Sequence, residues 1–157
     1  MTSQPQPSQK YLDTLLQYYE EEVQGMAEFY GLAEHFSERK KTILLAKIEQ
    51  IAADAIKPLL KKYGLTPRDE SILHEEGRGF VKEYLSWDWG RYMNYVIEHF
   101  PGYLDDFYNL ENMAPEEDLP ALRKLTEHEA VVIEFAEKEL AGDPDSTAPL
   151  LAYMAQS

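Results

Sequence analysis

Apolar residues recur at helical spacing over four long stretches of this chain, and no stretch alternates as a half-buried strand would. That periodicity predicts an all-α fold. The clearest stretch runs from Leu119 to Gly142. Turned at ~100° per residue, it sets Leu125, Val132 and Ala136 at the centre of an apolar face, flanked by Leu122, Ile133, Phe135 and Leu140. Its ends carry ordinary helix signals: Asp118 as N-cap, Pro120 in the first turn, Lys138 near the negative end of the dipole and Gly142 beyond the last turn. His128 and Glu129 nevertheless fall inside the apolar face, whereas Glu127, Glu134 and Glu137 fall outside it. A carboxylate buried alone is costly or stays protonated, so other residues must compensate Glu129.

Two earlier stretches repeat the anomaly. From Tyr11 to about Phe36, Tyr11, Leu15, Tyr18, Tyr19, Met26, Phe29, Ala33 and Phe36 share one face, with Glu22 in its middle. Glu20, Glu21, Glu28 and Glu34 project elsewhere and read as solvated. After Ser37 as N-cap, Lys40 to Tyr63 aligns Leu45, Ala52, Ala53, Ile56, Leu59, Leu60 and Tyr63, with Glu49 central and Pro58 on the opposite side. Glu22 and Glu49 stand at comparable distances from the presumed turn near Glu38. In an antiparallel pair they would lie within roughly two turns of the same height.

Gly64 ends that helix, and Thr66 with Pro67 marks the next start. This third segment either runs unbroken to Phe100 or, as expected here, breaks or bends at Gly77 and Gly79. Its later part groups Val81, Leu85, Tyr92, Tyr95 and Val96, with Asp88 and His99 on the same face. Pro101-Gly102 is read as a stop, Tyr103 to Met113 as a short extra helix, and Ala114 to Asp118 as an acidic linker. The expected organisation is a disordered arm over residues 1–10, a four-helix bundle over 11–142, and a tail over 143–157. The tail's apolar Thr147 to Met154 is read as a short helix covering the bundle end or a partner subunit.

With 157 residues the chain suits one domain. Its net charge of −14 opposes docking on nucleic acid or anionic lipid, and no apolar run approaches the ~20 residues a membrane helix needs. Without cysteine, disulfides, thiolate metal sites and iron–sulfur clusters are excluded, so any metal must be held by His and carboxylate. The opening MTSQPQPSQK lacks the pattern of a secretory signal, and the expected location is cytoplasmic.

Four long segments thus each carry one acid near mid-length on the face that should be buried: Glu22, Glu49, Asp88 and Glu129. Inward carboxylates from facing helices of a bundle are hard anionic ligands, and an imidazole completes such a shell for iron or manganese. His128 is the first choice and His99 the second; His35 and His74 are poorer placed. The bland reading is that these acids pair with Lys, Arg or the many Tyr hydroxyls. The stripe Tyr11, Tyr18, Tyr19, Tyr30, Tyr92, Tyr95, Trp87 and Trp89 is read chiefly as core, with an aromatic-lined pocket as the alternative.

At these residues the chain resembles the ferritin-like superfamily, and within it rubrerythrin-like proteins. Glu22 followed by Tyr30 and Ala33 is similar to their first metal-binding helix, and His128-Glu129 to the end of their last. The family's E-x-x-H signature is missed twice, because Ala52 stands three after Glu49 and Leu125 three before His128. By that alignment Glu22, Glu49 and His128 are retained, with Asp88 and Glu129 substituting for lost ligands. The resemblance implies a ferritin-like four-helix bundle and an oxidoreductase using oxygen or peroxide at iron or manganese. Glu22, Glu49 and Glu129 would be catalytic, and Glu22, Glu49, Asp88, His128 and Glu129 would be ligands. Two other readings stand beside it: a metal-free enzyme or small-molecule binder using a raised-pKa carboxylate among tyrosines, and an acidic helical interaction module, expected as a homodimer.

Overall fold

A computed structural model describes residues 6–156. Among them the chain is all-helical, with six α-helices: α1 (Gln9–His35), α2 (Arg39–Lys62), α3 (Glu70–Phe80), α4 (Trp89–Met113), α5 (Leu119–Leu140) and α6 (Ala148–Ala155). Short 3-10 turns at Val81–Tyr84 and Glu116–Asp118 precede α4 and α5. Among the described residues no helix is long and apolar enough to cross a membrane. Residues 1–5 of the expected arm lie outside the described residues. Ser8 caps α1 by accepting from the Tyr11 amide, and Gln9 and Lys10 are already helical.

The buried apolar residues form two clusters, and the order in which each long helix passes between them fixes its direction. α1 runs from the cluster of Leu15 and Tyr19 to that of Phe29 and Leu32, and α2 returns from Leu45 and Ile48 to Ile56 and Leu60. α4 also runs from the Phe29 cluster, through Met93 and Val96, to Phe107 and Leu110 in the other; α5 comes back from Leu122 and Leu125 to Val132 and Phe135. Hence α2 and α4 run the same way, and the segment joining them must travel the length of the molecule. α3 provides that travel, packed along α1.

Several boundaries depart from the sequence reading. Gly77 and Gly79 do not break α3, and Gly77 has a packing purpose: a Cβ there would come within 2.2 Å of the Gln24 carbonyl oxygen of α1. The break falls later, at Leu85–Asp88. Asp69, bonded to the Ser71 amide, caps α3 in place of Thr66. Pro101 does not stop α4; it projects to the exposed side, where a lost intrahelical bond is tolerated, so the separate helix expected over Tyr103–Met113 is the end of α4. Glu38, whose side chain makes no capping bond, replaces Ser37 at the start of α2. Pro58 does face outward, and Gly64 and Gly142 do close their helices with φ of +66° and +72°. α6 packs on α5 and α2 of its own chain, burying Leu150 and Tyr153.

Candidate metal centre

At the seam between the two apolar clusters lies a layer of polar side chains. Glu22 of α1 sits between Tyr19 and Phe29, Glu49 of α2 between Ile48 and Ala52, and His128 and Glu129 of α5 between Leu125 and Val132. All are buried, with 5%, 6%, 0% and 4% of their surfaces exposed, respectively. The His128 Nδ1 faces the Leu125 carbonyl, which can only accept, so Nδ1 carries the hydrogen and the ring orientation is set by its own helix. Nε2 then points at three carboxylates: Glu22 Oε1 at 3.0 Å, Glu49 Oε2 at 3.2 Å and Glu129 Oε2 at 3.4 Å. One ligand atom from each of Glu22, Glu49 and His128 lies within 4.8 Å of the others.

The protein alone balances this group poorly. Burial, then the neighbouring Glu22, push the Glu49 carboxyl well above its ordinary range. Burial likewise raises Glu129 to about 8, against the pull of His128. Burial would lower the His128 imidazole, but Glu22 and Glu49 outweigh it and hold it well above its usual value. One imidazolium therefore faces three carboxyl groups. Glu129 Oε1 has no hydrogen-bond partner at all, the sole buried side-chain nitrogen or oxygen so placed among the described residues. An oxygen left this way costs on the order of 1–3 kcal/mol or more. A divalent cation on these oxygens and Nε2 would replace the retained protons and supply the missing partner. The donor set, carboxylate oxygen and imidazole nitrogen without sulfur, is one that iron and manganese accept.

The other expected ligands are elsewhere. Asp88 is no part of this layer: it is the exposed N-cap of α4, accepting from the Arg91 amide at 2.8 Å, because the chain breaks where a continuous helix would have turned it inward. His99 is exposed, stacked on Tyr95 with centroids 4.3 Å apart and its Nδ1 3.1 Å from the Tyr95 carbonyl. His35 approaches the Trp87 carbonyl, and His74 lies half-buried on α3.

A cavity of about 400 Å³ opens onto the layer. Glu22, Glu49 and Glu129 form its buried floor, and the exposed Glu21, Glu83 and Tyr103 its rim. Glu28, expected in solvent, lines the cavity half-buried; burial, then Glu49 and Glu83, raise its pKa to about 8. It was missed because α1 packs on α3 as well as α2, so its buried arc is wider than its apolar residues indicate. Of the tyrosine and tryptophan stripe only Tyr92 and Tyr95 line the cavity; Tyr11, Tyr18, Tyr19, Tyr30, Trp87 and Trp89 do not.

Comparison with protein-family models, with curated proteins and with solved structures finds no match to this chain.

Proposed function

We propose that this is a ferritin-like four-helix protein that binds iron or manganese through Glu22, Glu49, His128 and Glu129, and acts as an oxidoreductase on oxygen or peroxide. The observation that carries the reading is the convergence of three buried carboxylates on one Nε2, with Glu129 Oε1 left unpartnered. The topology supports it as well. α1, α2, α4 and α5 are the long helices, the α1–α2 and α4–α5 connections are short, and one long crossover joins α2 to the co-directional α4, as in ferritin-like bundles.

The metal would supply redox capacity and Lewis acidity. The chain's part is to hold the ligand oxygens in a buried layer between two apolar clusters, fix the His128 tautomer through Leu125, and admit a small molecule through the cavity. α4 gives no ligand and instead packs Phe107 against His128, with ring centroids 5.6 Å apart. That leaves the cavity side of the ligand set open to a substrate, as catalytic metal sites require. The excess of carboxyl groups over cationic partners favours this reading over a metal-free acid–base site.

The test is hydrogen peroxide and oxygen consumption by iron-loaded and manganese-loaded protein, beside Glu22→Gln. Turnover by wild type that is lost in the variant supports the activity. Equal turnover by both, or none by fully loaded wild type, rejects it.

A further inference from the structure

The two walls of the cavity differ in chemistry. Along α4 and the preceding 3-10 turn runs a continuous aromatic surface: Tyr84 meets Tyr92 at 5.2 Å and Tyr95 at 5.6 Å, Tyr95 meets Phe100 at 6.2 Å, and Phe100 meets Tyr103 at 5.5 Å between ring centroids. These five residues all line the cavity. The same cavity is lined by Glu21 and Glu28 of α1, two turns apart on one face, and by Glu83 at its rim. No lining residue is basic, and among the described residues neither Glu28 nor Glu83 is paired with a Lys or Arg. Glu129, whose Oε1 is buried and unpartnered, also lines the cavity.

We infer that this cavity binds a small organic amine in its cationic form, the ammonium held between the aromatic wall of α4 and the carboxylates of α1, with the apolar part of the molecule along Phe100. Aromatic rings beside carboxylates suit an organic ammonium, whose charge the ring faces attract and whose N–H groups the carboxylates accept. They do not suit a further hard metal ion, which needs oxygen ligands on every side at ~2 Å. The volume is in the range of small-molecule sites, ~300–1,000 Å³. A bound ammonium would favour the charged form of Glu28 and pair with it and with Glu83; a neutral alcohol of the same shape would leave Glu28 protonated and bring no charge to pair with Glu83, and a carboxylate would be repelled by Glu83 and Glu21. The inference does not rest on the metal-centre reading, because binding the amine needs no metal.

Isothermal titration calorimetry on the full chain separates the two readings, using n-pentylamine, 1-pentanol and pentanoate at pH 7.5 before and after removal of metal with EDTA. The expected result is binding of pentylamine roughly tenfold or more tighter than pentanol, with no detectable binding of pentanoate. Glu28→Gln and Tyr95→Leu should each weaken the amine several-fold without changing metal content. The wild-type comparison stands by itself if either variant does not fold. Pentanol binding as tightly as pentylamine, or no amine binding at all, overturns the inference and leaves the metal centre untouched. Amine selectivity in a chain that never takes up metal upholds the pocket and removes the metal-centre reading.

Discussion

α5 presents buried acids at two levels, Asp118 at its start and Glu129 about three turns on, and their surroundings are opposite. Asp118 is 1% exposed yet fully answered: Oδ2 accepts from Tyr11 at 2.7 Å and Tyr63 at 2.5 Å, and Oδ1 from Lys62 at 2.8 Å. Burial raises its pKa, but the bonds from Lys62, Tyr63 and Tyr11 outweigh burial and hold it below the ordinary aspartate value. Glu129 shares one imidazole with two other carboxylates, keeps an oxygen unpartnered and is pushed to about 8. One acid is kept charged by the fold and ties α1, α2 and α5 together. The other is kept against the fold's interest, as the proposed ligand role would require.

The largest expected effects separate the two by the property each controls. Glu49→Gln should weaken manganese binding by more than roughly 100-fold, since losses in the outer shell alone reach 10–100-fold; a competition titration with a chelating dye reads this, and unchanged affinity would place the ligands elsewhere. Asp118→Asn should leave that affinity unchanged but cost about 2–4 kcal/mol in urea unfolding, because two tyrosine hydroxyls and Lys62 lose their shared acceptor. In chelated protein Glu129→Gln should cost less than about 1 kcal/mol or stabilise, because it replaces a poorly paired buried carboxyl with a neutral group of the same shape. Equal losses for Asp118→Asn and Glu129→Gln would erase the distinction.

The pH dependence of the metal-free protein should carry both signs. Asp118 is depressed in the folded state, so its contribution is full above the unfolded value near 4 and is lost as pH falls through the folded one. Glu28 is raised, to about 8, so the folded state holds its proton more tightly; its contribution is full below about 4.5 and lost as pH rises through 8. Unfolding midpoints from pH 2 to 9 should fall at both ends, Asp118→Asn flattening the acid side and Glu28→Gln the alkaline side. A small effect is also expected of Asp88→Ala. It should cost about 1 kcal/mol as a lost N-cap and leave metal content unchanged, whereas a ligand at this position would give the reverse.

The same contrast marks what the sequence made legible. Glu22, Glu49, His128 and Glu129 stood out because each interrupts an apolar face whose period is unambiguous, and the structure brings all four together. Asp88 was assigned to that layer by extending one helical period across Leu85–Asp88, where the chain is not helical. Asp118 was read as a helix cap; it holds the N-cap position, but its side chain makes no cap bond and turns to Tyr11, Tyr63 and Lys62. Those partners come from helices distant in sequence, which no local pattern records. Glu28 and the cavity were hidden for a related reason, because they depend on how α3 and α4 lean on α1.

The most direct measurement is metal content by inductively coupled plasma mass spectrometry. It would compare wild type with the double variant Glu49→Gln/Glu129→Gln, both made in iron- and manganese-supplemented medium and purified without a histidine tag. Near-stoichiometric iron or manganese in wild type, lost in the double variant while its helical circular dichroism is kept, is the predicted result. Wild type without metal, or a double variant with undiminished content, would contradict the metal centre.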